Sequence, residues 1–171
     1  EKFFFKKRKK INFIILRYFN VGGVEKKLRC GFDIKNESLI SNLCKSFVKD
    51  KKFLIYGQTY KSKDGTAIRD YIHIIDLAKI HFKFSQKILK KNYSEVFNCG
   101  YGKPISVKQM YNIFSKVSKK SPKVVYKSKR KKDISISISD VSKLKREIYI
   151  NHKESKWLDL AKTSIDWYRN K

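Results

Sequence analysis

An α/β fold with parallel strands follows from three features of the sequence. Ile11 to Phe19 holds Ile11, Phe13, Ile14, Ile15 and Leu16 in a near-continuous apolar run. That is the pattern of a strand buried on both faces of a parallel sheet. Short apolar runs alternate with segments of helical periodicity along the chain, as layered α/β arrangements require. Asp64 to Ala78 passes directly from an Asp-Gly turn, through the apolar run Tyr71 to Ile75, to a helix start.

In chain order, Glu1 to Lys10 mixes Phe3, Phe4 and Phe5 with basic residues and reads as the frayed end of a helix. The Ile11 to Phe19 strand follows, closed by Gly22-Gly23. Ligands of open parallel sheets sit outside the carboxyl ends of strands, so Asn20 is placed either to offer an amide to a ligand or to make a turn. Lys26 to Glu37 is loop-like. Ser38 to Val48 carries Leu39, Ile40, Leu43 and Phe47 at helical spacing. Phe53 to Tyr56 is a short strand ended by Gly57, and Gln58 to Gly65 is a polar loop.

Arg69 stands at the mouth of the Tyr71 to Ile75 run. It either pairs with Asp70 or Asp64, or faces a phosphate or carboxylate, which suits its planar fork. Asp76 is in position to N-cap a helix opened by Leu77, Ala78 and Ile80. His73 reads as structural. A break at Asn92 to Ser94 precedes a strand at Val96 to Gly100. The loop Gly100-Tyr101-Gly102 is followed by a capping box, Ser106 with Gln109, and a helix lined by Met110, Ile113, Phe114 and Val117. A strand, glycine loop and helix can hold phosphate, although this Gly-x-Gly lacks the third glycine of the dinucleotide fingerprint. Val124 to Tyr126 is a further strand. Ile134, Ile136 and Ile138 alternate with Ser135, Ser137 and Ser139, which gives one apolar and one small polar face. Asp140 and Ser142 suit the cap of a short helix at Lys143 to Glu147. A last helix carries Trp157, Leu160, Ala161, Ile165 and Tyr168.

A chain of 171 residues holds one domain with a core of its own. The net charge of +27 would suit a polyanion binder, but only seven of the 42 basic residues are arginine and the lysines are spread along the chain. The sequence is rich in residues that AT-rich codons supply, so genome composition accounts for the charge. A lysine-coated surface with no nucleic-acid partner is expected, and a basic polyanion binder is the competing class. No apolar run approaches the roughly 20 residues of a membrane span, so no membrane association is expected. The odd number of cysteines without a CxxC spacing points to a reducing cytoplasm.

Arg69, Arg130, Asn20 and Asp133 could converge on one anionic ligand that carries hydroxyls. Two cations would neutralise a diphosphate, and a carboxylate would accept from a ribose diol. The motifs Leu16-Arg17-Tyr18-Phe19-Asn20, Asp64-Gly65-Thr66-x-Ile68-Arg69-Asp70-Tyr71-Ile72-His73-x-x-Asp76-Leu77-Ala78, Asn98-x-Gly100-x-Gly102, Arg130-x-x-Asp133 and Asp140-x-x-Lys143 occur in that order. Together they resemble the C-terminal half of the UDP-glucose 4-epimerases, which are extended short-chain dehydrogenases/reductases. Neighbouring UDP-uronate epimerases and decarboxylases are the alternatives.

The resemblance implies the C-terminal part of a Rossmann-type fold interleaved with a smaller mixed α/β substrate-binding domain over residues 1–171. It implies a UDP-sugar substrate, NAD as cofactor, and a homodimer for the full-length protein. Arg69 and Arg130 match arginines that clamp the UDP diphosphate, and Asp133 a carboxylate that binds the uridine ribose. Asn20 matches a substrate-contacting asparagine. Phe19 matches a residue beside the nicotinamide. Leu54 and Tyr56 belong to a strand bordering uracil, and Ser38-Leu39 to a substrate contact. Ser137 stands where some relatives carry a tyrosine near the sugar, so room for N-acetylated sugars is expected. The family's phosphate-binding glycine loop and its catalytic Tyr-x-x-x-Lys are expected upstream of Glu1, and the NAD-binding portion with them. The spacing from Tyr149 to Lys153 comes too late in the order, so no catalytic residue is expected within the sequence.

Overall fold

The computed structural model describes residues 1–89, 93–149 and 155–171. The helices are α1 (Lys2–Lys7), α2 (Leu39–Lys49), α3 (Ile74–Ile88), α4 (Val107–Ser118), α5 (Ser142–Glu147) and α6 (Ser155–Arg169). The strands are β1 (Phe13–Tyr18), β2 (Asn20–Gly22), β3 (Phe53–Tyr56), β4 (Ile68–His73), β5 (Ser94–Cys99), β6 (Pro104–Ser106), β7 (Val124–Lys127) and β8 (Ile136–Ser137). The expected break at Asn92 and the residue Lys153 lie outside the described residues.

Parallel pairing dominates. β1 pairs with β5, β3 with β7, and β2 with the second half of β4, all parallel. The first half of β4 has β6 antiparallel on one side and β8 parallel on the other. β4 is thus the strand on which the segments 20–22, 104–106 and 136–137 assemble. The core has two parts. One gathers Leu43 and Phe47 of α2, Met110 and Phe114 of α4, and Leu160 and Ile165 of α6 beneath β3 and β4. The other packs Ile80 and Phe84 of α3 and Leu144 of α5 on Phe97 of β5. Both parts are built from residues at helical spacing on one side and strand spacing on the other.

Several local expectations are corrected. β1 is not buried on both faces: Phe13 is buried, Ile14 to Leu16 are half-buried, and Arg17 and Tyr18 are exposed. Among the described residues β1 has β5 as its partner strand, with α3 packed against it and Phe4 and Phe5 of α1 on Phe13. His73, not Asp76, caps α3: β4 runs through His73, whose Nδ1 accepts from the Ile75 N–H at 3.2 Å. Asp76 therefore falls inside the first turn, buried, and accepts from the Tyr101 hydroxyl at 2.7 Å. Helix α5 begins at Ser142, and Asp140 accepts from the Ser142 N–H at 2.9 Å without being the cap residue. The Gly100–Gly102 loop leads into β6 before α4, so it is not a direct strand-to-helix phosphate loop.

The loop's N–H groups do hold an anion, but it is the protein's own. Tyr101 N–H and Gly102 N–H donate to the buried Asp70 carboxylate at 3.0 and 2.9 Å. The Ser139 N–H and hydroxyl donate to the same group. This contact decides which way the Ile/Ser alternation faces. Ser139 must point inward to reach Asp70, and a period of two then turns the other serines inward as well. Ile134, Ile136 and Ile138 consequently face outward, 62, 44 and 42 % exposed. The capping box forms as the sequence spells it, Ser106 and Gln109 each accepting from the other's backbone N–H. No described helix is long and apolar enough to cross a membrane.

Candidate functional site

The residues singled out from the sequence lie along two adjoining clefts. The inner one, about 300 Å³, is lined by Asn20, Ser38, Leu39, Leu54, Tyr56, Arg69, Arg130 and Asp133. The outer and more open one, about 710 Å³, is lined by Phe19 and Ser137 beside Tyr18, Asn98 and Lys132. Asn20, Arg69 and Asp133 belong to both. They mark the line where the clefts meet.

Each side chain is held by its element. Asn20 opens β2 opposite Tyr71 of β4. Its amide nitrogen donates to the Asp70 carbonyl at 3.0 Å, which fixes the side chain against the neighbouring strand. Arg69 pairs with neither Asp70 nor Asp64. Asp70 is taken by the glycine loop and Ser139, and Asp64 accepts from Thr66, Ser62 and Ser106. The Arg69 guanidinium instead donates through Nη2 to Asp133 Oδ1 at 2.6 Å and through Nη1 to the Ile68 carbonyl at 2.8 Å. The pair is mostly shielded, with side-chain exposures of 18 and 24 %.

The Arg130 guanidinium sits over the Tyr56 ring, its carbon 4.0 Å from the ring centre. Cation–π stacking of this kind keeps an exposed arginine beside the cleft without consuming its N–H donors. Leu54 and Tyr56 belong to β3, whose partner β7 leads into the loop carrying Arg130 and Asp133. Ser38 lines the cleft, but its hydroxyl is the N-cap of α2 and accepts from the Ser41 N–H at 3.2 Å. Ser137 sits opposite Arg69 in the β8–β4 register, half-buried.

One residue of the site carried no signal in the sequence. Tyr60, buried in the loop after β3, donates its hydroxyl to Asp133 Oδ2 at 2.7 Å. Its ring fills the space over Gly57, whose φ of +84° and lack of a Cβ allow the approach: a Cβ there would stand 2.4 Å from the ring. The Lys129 ammonium lies 4.7 Å from the Tyr60 ring centre. Burial, and then the hydrogen bond to Asp133, push the Tyr60 phenol up to about 12, so it is a donor at neutral pH. Nothing in local spacing could reveal this partnership, because Tyr60 and Asp133 are far apart in the chain and are brought together by the β3–β7 and β4–β8 pairings.

The arrangement presents two guanidinium groups, one firmly held carboxylate and one anchored amide on a continuous surface. That set suits a ligand with a doubly charged linker and adjacent hydroxyls.

Comparison with known proteins gives the family. Residues 5–100 match the model of the NAD dependent epimerase/dehydratase family. The UDP-glucose 4-epimerase of Bacillus subtilis is 36% identical over 137 residues, covering 78% of this chain and 40% of that protein. A crystal structure of UDP-glucose 4-epimerase from Bifidobacterium longum, in complex with NAD+ and UDP, superposes with a TM-score of 0.78. It is 30% identical and covers 91% of this chain and 47% of its own. The UDP-Glc/GlcNAc 4-epimerase of Campylobacter jejuni gives a TM-score of 0.74 at 36% identity, over 93% of this chain and 49% of that one. The chain spans two-fifths to a half of the length of these relatives. A sequence that fits the family model over more than half its length, and folds as these enzymes do, belongs to the NAD dependent epimerase/dehydratase family.

Proposed function

We propose that this chain forms the sugar-nucleotide-binding part of a UDP-sugar 4-epimerase, an isomerase acting on UDP-glucose and UDP-galactose and accepting N-acetylated forms. The observation that carries the reading is that Asn20, Arg69 and Asp133 lie on the seam of the two clefts while Arg130 lines the inner one beside them. Arg69 and Arg130 bracket the diphosphate, where two cations offset its charge in a partly dry site. Asp133 accepts from the ribose hydroxyls. Leu54 to Tyr56 form the wall for uracil, and Leu39 closes it from α2. The hexose extends into the outer cleft past Asn20 toward Ser137.

Phe19 lines that outer cleft next to Asn20, half-buried, with an aromatic face suited to a flat nicotinamide ring. At that rim the residues present fit NAD, as the Bifidobacterium longum complex and the family's description suggest. Bound NAD supplies hydride acceptance and return at sugar C4. The chain's own part is to bind the nucleotide, to keep the sugar at the outer cleft, and to leave space for either C4 configuration. The group that takes the C4 hydroxyl proton is assigned to residues outside this sequence, because no Tyr-x-x-x-Lys spacing precedes the cleft residues.

Calorimetric titration with UDP tests the reading. Saturable binding is expected, and Arg130→Ala should weaken it about tenfold or more without lowering the melting temperature, since Arg130 is exposed. Absence of UDP binding by the folded chain would overturn the assignment. The chain alone should not convert UDP-galactose, and measurable conversion would show that the proton acceptor lies within it.

A further inference from the structure

We propose that Tyr60 is the positioning residue that makes Asp133 a reader of the ribose, and so sets the preference for ribonucleotides over 2′-deoxyribonucleotides. This rests on the UDP-sugar reading above and extends it to a residue outside the set that reading uses. An ionised carboxylate has about two acceptor sites on each oxygen. Arg69 Nη2 occupies one on Oδ1 at 2.6 Å, and the Tyr60 hydroxyl occupies one on Oδ2 at 2.7 Å. One site on each oxygen therefore stays open, and the two held oxygens cannot rotate. A vicinal diol offers two O–H donors, which matches two fixed acceptors side by side.

Tyr60 can hold this position because its own placement is over-determined. The ring is 5 % exposed, lies across Gly57, and has the Lys129 ammonium 4.7 Å from its centre. Its backbone N–H donates to the Gly65 carbonyl at 3.1 Å, tying the loop to the turn that begins the Arg69 strand. The loop carrying Lys129, Arg130 and Asp133 is thus clasped to the segment 56–60 by two aromatic rings and one hydroxyl. Arg130 on Tyr56 serves the diphosphate, and Asp133 on Tyr60 serves the sugar next to it. Loss of the Tyr60 hydroxyl alone frees Oδ2 and lets the carboxylate turn about its bond to Cβ, while Arg69 still holds Oδ1.

The test compares UDP with 2′-deoxy-UDP by calorimetry on the parent chain, Tyr60→Phe, Asp133→Asn and the double variant. The parent should prefer UDP by about tenfold, and Tyr60→Phe should reduce that preference to about threefold or less. Asp133→Asn should erase it, and Tyr60→Phe should have no further effect in that background. A merely structural role for Tyr60 would weaken both ligands equally and leave their ratio unchanged, and that result would overturn the inference. A second measurement needs no variant: 2′-deoxy-UDP and 3′-deoxy-UDP should each bind the parent less tightly than UDP, and equal affinity of all three would also overturn it. If the folded parent binds neither UDP nor its deoxy forms, the UDP-sugar reading itself fails and the inference with it.

Discussion

Arg69 and Asp133 meet at 2.6 Å across the β4–β8 junction, so the central cation of the cleft and its carboxylate are held in one partly buried pair. A lysine at 69 could keep the charge but not the fork that reaches Asp133 and the Ile68 carbonyl together. Arg69→Lys is expected to lower UDP affinity roughly 10- to 100-fold. Arg69→Met should also destabilise the fold by about 1–3 kcal/mol, because Asp133 is left partly buried with one partner. Calorimetry and denaturant unfolding check both, and undiminished affinity in Arg69→Lys would remove the diphosphate role.

Asp70 should be the most sensitive buried position. Its carboxylate accepts from Tyr101 N–H, Gly102 N–H and Ser139, joining the glycine loop and the Ser139 segment to β4. An asparagine there would turn an NH2 toward N–H donors. Asp70→Asn is expected to cost about 3 kcal/mol or more and to lower the melting temperature by roughly 6–12 °C. A melting temperature within 2 °C of the parent would count against the network as the anchor of these segments, by the same conversion at about 1 kcal/mol.

Ser137 leaves room in the outer cleft beside Arg69. Filling it with Ser137→Tyr should weaken UDP-N-acetylglucosamine more than UDP-glucose, by about tenfold in the ratio. Binding competition measures this. Equal losses for both sugars would place the N-acetyl group elsewhere.

Acid stability should depend on Asp64. Desolvation raises its pKa, but hydrogen bonds from Ser106, Thr66 and Ser62 outweigh it and hold the carboxyl below the usual aspartate range. With the folded value below the unfolded one of about 3.9, this group contributes stability above that pH. The contribution is lost as pH falls through the lower folded value. Asp64→Asn should therefore be less stable than the parent at pH 7, and the gap should narrow on acidification toward pH 2. Denaturant unfolding at several pH values measures it, and a pH-independent gap would assign the effect to packing.

Short-range features of this protein were legible in the sequence because their interactions close within a few residues. The Ser106–Gln109 box, the strand at Phe53 to Tyr56 and the packing stripes of α2 and α4 are of this kind. The cleft residues were nameable because their order along the chain matches a family pattern. Partner choice was not legible. Arg69 bypasses its neighbours Asp70 and Asp64 for Asp133, since β4 and β8 pair and the glycine loop has already taken Asp70.

By itself the sequence determined the α/β periodicities, the Ser106–Gln109 capping box and the family to which the chain belongs. Only the tertiary structure decided that Ser139 points inward and the isoleucine stripe outward, that the glycine loop grips an internal carboxylate, and that Tyr60 holds Asp133. The physical reason is one of range. Periodicity and capping follow from backbone geometry over one turn or one pleat, whereas a buried donor finds its acceptor only when strands distant in sequence pair and exclude water from both.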